Sequence, residues 1–458
     1  MIPHPYHLHF SMSKRGITIG LDSVPRTGVP RALLCVLCAT LGCRPDANSE
    51  PLTGCTKDVD CKGARICVDQ VCVDPEPKDA LQGQAAEPAA PDDSWRRGGP
   101  AGDRPSRGRG PLEAPKAAWE VDLGSVVFAR PTLGADSEGR TVAYVGTHAG
   151  RFAGVLTDGD EAGTVVTDLT VGGMIWSTAA QDSRGRLYVG ADDDTLYAIE
   201  PGESKIVWSK KLGNCAPARA PGPEGARCDV DGGPTLGPDG DLYVGADGVY
   251  RITTAGKIVW HWPTDEDRPK HVFSSPLVTK DGLVVFGGQD GFVTALDTAD
   301  GSQKWRYKVG ADVDGSAASG IDGSIYIGAD DGRMFALRSD GSLKWSFVAQ
   351  SDIRSSVAVA PDGTIYLSSF DGNMYSLDPA GNVHWMLPSG GRIAASPVLD
   401  ADGVVYVGSQ DDRLYAVTAE GEVRWNVEFP TDIDSSVAIS SAGTLVVGSD
   451  DGKLRGLR

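Results

Sequence analysis

No helical period of useful length runs anywhere between residues 117 and 458, which removes helix-containing architectures from that region. A membrane-spanning run is missing too. The apolar stretch ALLCVLCATLGC, ending at Cys43, is far too short to cross a bilayer. The motifs of common chemistry are absent: no P-loop, no GxSxG between strand and helix, and no His/Cys cluster at zinc spacing. Acidic turns such as DVDGG (Asp229 to Gly233), DVDG (Asp312 to Gly315) and GADDG (Gly328 to Gly332) lack the alternating ligands and closing Glu of a calcium loop. They read as hairpin turns in which Asp bonds its own backbone. Net negative charge lies almost wholly outside the basic leader and linker. With 43 Lys and Arg against 62 Asp and Glu, the chain carries −19, which argues against a nucleic-acid partner.

What the sequence has is repetition. GSAASGIDGSIYIGADDGRMFALRSDGSLKW (Gly315 to Trp345) and SSVAVAPDGTIYLSSFDGNMYSLDPAGNVHW (Ser355 to Trp385) are two copies of one phrase. Aligned on Gly146, Gly190, Gly245, Gly287, Gly328, Ser368, Gly408 and Gly448, the copies are spaced 44, 55, 42, 41, 40, 40 and 40 residues apart. Each unit holds four β-prone pieces divided by Asp-Gly or other Gly turns, the chemistry of antiparallel hairpins. A period near 40 with several short strands per unit predicts a radial array of four-stranded sheets.

Such sheets must stack on their neighbours to bury both faces. Trp119, Trp208, Trp260, Trp305, Trp345, Trp385 and Trp425 recur at the fourth strand and are expected to pack between blades. The unit after Leu156 lacks this tryptophan, so a looser junction is expected there. The last copy stops at Arg458 after its third strand, while KAAWEVDLGS around Trp119 is a fourth strand with nothing before it. The fold expected is all-β: an eight-bladed propeller over 117–458, closed by an N-terminal strand that completes the last blade.

ALDTADGSQKW (Ala295 to Trp305), ALRSDGSLKW and SLDPAGNVHW resemble the tryptophan-docking repeats of the pyrroloquinoline quinone (PQQ)-like β-propellers. The resemblance covers about three quarters of the chain. That superfamily includes quinoprotein alcohol dehydrogenases and non-enzymatic members, such as a lipoprotein that assists outer-membrane β-barrel assembly, so fold leaves function open. For the enzyme branch the resemblance implies an adjacent Cys-Cys disulfide over the quinone, with Glu, Asn and Asp around Ca²⁺. Here no two cysteines are adjacent, and neither PQQ nor calcium is expected. A PQQ-dependent dehydrogenase remains the alternative to a non-catalytic protein.

Before each first strand stands a β-branched residue, then a variable one, then mostly small ones: VFAR, IWST, VDGG, VFSS, VDGS, IRSS, IAAS, IDSS. The variable positions are Phe128, Trp176, Asp231, Phe273, Asp314, Arg354, Ala394 and Asp434. A fixed frame with changing side chains predicts a ligand face at the channel mouth, aromatic along one arc and charged along the other. An extended peptide or a glycan would suit it. An insertion, Leu212 to Arg227, bracketed by Cys215 and Cys228, lies on the same face and is expected to be closed by a disulfide.

The N-terminal quarter has another organisation. Residues 1–42 read as an export signal with Lys14, Arg15, Arg26 and Arg31 before the apolar core. The true start is as readily Met12 or Val24. Gly42-Cys43 resembles a bacterial lipoprotein site, with Thr40 where that pattern prefers Leu, so Cys43 is the expected lipidation residue. Residues 43–54 would follow as a lipidated segment. Cys55, Cys61, Cys67 and Cys72 form a compact disulfide module over 55–73, with three pairings open. Residues 74–116, rich in Pro, Ala, Gly and Arg, read as a disordered linker. The expectation is a lipid-anchored envelope protein with a monomeric propeller, binding an envelope protein or glycan.

Overall fold

The computed structural model describes residues 108–213, 229–263 and 271–458, with four short strands before them. The chain divides into two units, Met1–Ala85 and Ala86–Arg458. In the first, Ser11–Ser13 pairs with Gly16–Thr18, and Ile66–Val68 with Val71–Val73, with Cys67 and Cys72 as register partners. Cys43, Cys55, Cys61, Cys215 and Cys228 lie outside the described residues, as does most of the insertion from Leu212 to Arg227.

The second unit holds eight antiparallel four-stranded sheets. Blade 1 runs Thr132–Ala135, Thr141–Gly146, Arg151–Leu156 and Val165–Thr170, the strands A to D from the channel outward. Blade 5 runs Ala318–Ser319, Ile325–Gly328, Arg333–Leu337 and Leu343–Val348. Strands B and C carry near-continuous buried residues because a neighbouring blade covers each face, whereas D, as in Gln303–Lys308, alternates between half-buried and exposed. Hydrophobic clusters accordingly span blade boundaries. One joins Tyr326, Met334 and Trp345 of blade 5 to Val359, Ile365 and Tyr375 of blade 6.

Every C–D pairing slips by one residue, and the extra residue immediately precedes the tryptophan position, as Lys344 does before Trp345. This bulge turns the indole toward the next blade. There the ring lies on the glycine of the C–D turn. A Cβ on Gly341 would meet Trp305 at 2.5 Å, and Gly341 also has φ of +84°. Each indole Nε1 donates to a carbonyl of that turn: Trp119 to Thr157, Trp208 to Thr254, Trp260 to Thr298, Trp305 to Ser339, Trp345 to Pro379 and Trp385 to Ala419, at 2.8–3.1 Å. In blade 1 Thr167 stands at the tryptophan position, opposite Gly154, and its Oγ1 donates to Pro201 O at 2.8 Å. The junction expected to be loose therefore keeps the docking hydrogen bond.

Blade 8 is Ala438–Ile439, Leu445–Gly448 and Lys453–Leu457 closed by Ala117–Asp122. Lys116 and Arg458 exchange backbone hydrogen bonds at 2.9 and 3.0 Å, and Glu120 holds Lys453 and the buried Arg455. Blade 8 has no C–D turn of its own, because its two outer strands come from opposite chain ends. Trp425 donates instead to Pro111 O at 3.0 Å, and Gly110 N donates to Asp400 Oδ2 at 3.1 Å. The stretch expected as a disordered linker to residue 116 is thus packed from residue 108 onward, where it supplies the missing turn.

Candidate functional site

The mouth positions owe their placement to the residue before them. Val127, Ile175, Val230, Val272, Val313, Ile353, Ile393 and Ile433 are all buried. Each packs against the repeat-defining glycine or serine at the end of the preceding B strand. A Cβ on Gly146 would fall 2.2 Å from Ile175 Cγ2, and one on Gly328 2.4 Å from Ile353 Cγ2. Glycine there admits the β-branched side chain, which pins the loop so that the following residue faces the channel. Phe128, Trp176, Asp231, Phe273, Asp314, Arg354, Ala394 and Asp434 all line one cavity of about 430 Å³.

A second ring was not singled out from sequence. Two residues past the aligned glycine stand His148, Asp192, Gln289, Asp330, Phe370, Gln410 and Asp450. Their backbone N–H groups donate to the loop before the neighbouring A strand, as His148 does to Val126 O and Asp330 to Asp312 O. The sequence signal was available in the fixed offset from the glycine. It was obscured because acidic members such as Asp330 read as turn residues.

Side chains of the two rings interlock. On one arc Phe128 meets Trp176 edge-on at 5.2 Å between centroids, and His148 lies 3.9 Å from Trp176. The Trp176 indole donates to Asp192 at 3.1 Å, and His271 stacks on Phe273. Burial holds His148 below the usual imidazole range, against the pull of Asp192. On the other arc Arg354 grips Asp330 with two hydrogen bonds, 3.1 and 2.6 Å, and lies over Phe370. Gln289 donates to Asp314 at 3.2 Å, and Gln410 to Asp434 at 3.1 Å.

Carboxylates outnumber cations on this arc, and burial raises their pKa values. Asp330 is pushed up to about 7 by burial and by Asp314, with Arg354 opposing. Asp450 is pushed up to about 6 by burial and by Asp434 and Asp432, and its Oδ1 is buried without a hydrogen-bond partner. Asp314 and Asp434 shift upward for the same first cause. The segments DVDGG and DVDG, expected as hairpin turns, are instead D-to-A crossings, since Asp231 and Asp314 face the cavity. GADDG is a B–C turn in which Asp331 Oδ1 accepts the Arg333 N–H.

A family model described as outer membrane protein assembly factor BamB matches residues 116–319, 192–356 and 339–458. Together these span well over half of the chain, which therefore belongs to that family of PQQ-like β-propellers. Among solved structures it is similar to BamB from Moraxella catarrhalis, at 16% identity and a TM-score of 0.59, covering 75% of this chain and 100% of that one. It is similar also to the computationally designed Ika8 protein, at 15% identity and 0.59, covering 74% and 99%. A third likeness is quinohemoprotein alcohol dehydrogenase from Comamonas testosteroni, at 15% and 0.60, covering 76% of each chain. These likenesses show the fold. No curated protein sequence matches the chain.

The adjacent cysteine pair is absent from the sequence. Among the described residues, no three His, Cys, Asp or Glu converge as a metal ion requires.

Proposed function

We propose that this protein is a non-catalytic docking factor of the bacterial outer-membrane envelope, anchored through lipid at Cys43 and receiving an envelope-protein segment at its channel mouth. The observation that carries the reading is the pair of variable rings on a fixed frame. A β-branched residue locked on glycine repeats around the mouth, while the side chains beside it change in kind. Membership of a family described as an outer membrane protein assembly factor supports an assembly or scaffold role. The aromatic arc offers a platform for apolar or planar groups, and the acidic arc favours a basic segment.

A photo-crosslinking residue at Ala394, irradiated in intact cells, tests the docking. One envelope protein should be captured, and Asp434→Arg, with folding checked by circular dichroism, should abolish the adduct. Capture that is unchanged by Asp434→Arg would rule out the mouth as the docking site. In the same cells Cys43→Ser should release the propeller from the membrane fraction. Stoichiometric quinone uptake with Ca²⁺, visible as a new absorption band, would replace this reading with the dehydrogenase one.

A further inference from the structure

Below the mouth, the second residue after each variable position forms the channel floor. In seven blades it is a hydroxyl residue or glycine, such as Thr178, Gly233 or Ser275. In blade 1 it is Arg130. This side chain lines the cavity and is half-buried, and its Nε donates to Val437 O at 3.2 Å. No carboxylate pairs with its guanidinium among the described residues. Burial is the sole influence on its pKa, which falls to about 10. A half-buried guanidinium without a counter-charge offers an anion in the cavity a charge-assisted partner.

Hydroxyls of other blades line the same cavity. Ser316, Ser396 and Ser436 each accept a backbone N–H through Oγ, from Ser275, Ser356 and Ser396 at 2.8, 3.0 and 2.9 Å. A hydroxyl that accepts in this way still has its own proton to give, and these three line the channel. The floor therefore presents a planar cationic fork and several O–H donors to one small space.

We propose that the channel floor binds a singly charged carboxylate, held by the Arg130 guanidinium and the serine hydroxyls. One guanidinium neutralises one charge. The Asp314 and Asp434 side chains above it make a second negative charge unfavourable, so a carboxylate is preferred to a phosphate dianion. This site stands independently of what docks at the mouth.

Saturation-transfer NMR on the full chain, at constant ionic strength, tests it with acetate, triglycine and triglycine amide as probes. Acetate is expected to bind and the amide to give no signal. Arg130→Gln should weaken acetate at least tenfold, and Arg130→Lys, which keeps the charge and loses the fork, should weaken it less. Binding of triglycine as well would mean that the carboxylate can arrive on a peptide terminus. Acetate binding alone would mean a small free acid. Should Arg130→Gln not fold, Ser436→Ala and displacement of acetate by excess formate on the wild-type chain give the same readout. Absence of acetate binding, equal affinity in a folded Arg130→Gln chain, or tighter binding of inorganic phosphate would each overturn the proposal.

Discussion

Thr167 replaces an indole with a hydroxyl and still bonds the Pro201 carbonyl of the next blade. The repeat therefore keeps a hydrogen bond to the turn, and the indole adds ring burial. Trp345 has both: the ring is buried against Gly381 and Tyr326, and Nε1 donates to Pro379 O. Trp345→Ala should cost about 3–5 kcal/mol. Trp345→Phe keeps most of the ring and should lose about 1 kcal/mol with the hydrogen bond. Urea midpoints of the two variants check this, and near-equal losses would mean that ring burial stabilises the junction no more than the hydrogen bond does. The tryptophans were legible because each follows the same turn at the same offset. Arg130 was not, because one arginine within VFAR reads as an ordinary strand-entry residue until the cavity shows it facing seven uncharged counterparts.

The element that decides ring integrity is Ala117–Asp122, which pairs with Lys453–Leu457. Without it, the third strand of blade 8 would be an open edge and Arg455 would lose Glu120. The preceding residues 108–111 also matter, since they satisfy the Trp425 indole and Asp400. A chain beginning at Leu123 should therefore melt at a lower temperature than the full propeller, and a peptide of residues 107–122 added in trans should restore the loss. Rescue by a peptide beginning at residue 116 to the same extent would mean that the 108–111 turn contributes nothing. The closing strand could be read from a tryptophan motif with no A, B or C strand before it. The added turn could not, because Gly-Arg-Gly-Pro has linker composition and its role comes from the gap left between the two chain ends.

For the whole molecule, the stacking of neighbouring blades concentrates acids from successive loops around the mouth. Asp314, Asp330 and Asp352 come from three D-to-A or B-to-C segments, and Asp434 and Asp450 meet in the same way. Between about pH 4 and 7 the folded chain holds protons on Asp330 and Asp450 that the unfolded chain has released. Their contribution to stability is therefore present at the acid end of that window and lost as pH rises through about 6 to 7. Thermal melts at pH 5 and pH 7.5 should show this fall, and Asp330→Asn should reduce it. An identical slope in the variant would mean that Asp330 does not carry the dependence.

Strand number, blade count, the sites of inter-blade packing and the closing strand were determined by the sequence alone, because a 40-residue period and turn glycines act locally and repeat. The eight variable mouth positions were also visible, as gaps in a regular frame. Only the tertiary structure decided which side chains pair across them: Arg354 with Asp330, Gln410 with Asp434, Trp176 with His148. It also decided that Arg130, without a carboxylate partner among the described residues, shares the channel floor with hydroxyl residues. Those relations depend on how neighbouring blades stack around the channel, which brings residues 24 to 28 positions apart into contact, and Arg130 to Val437 across 307, and no local pattern carries those distances.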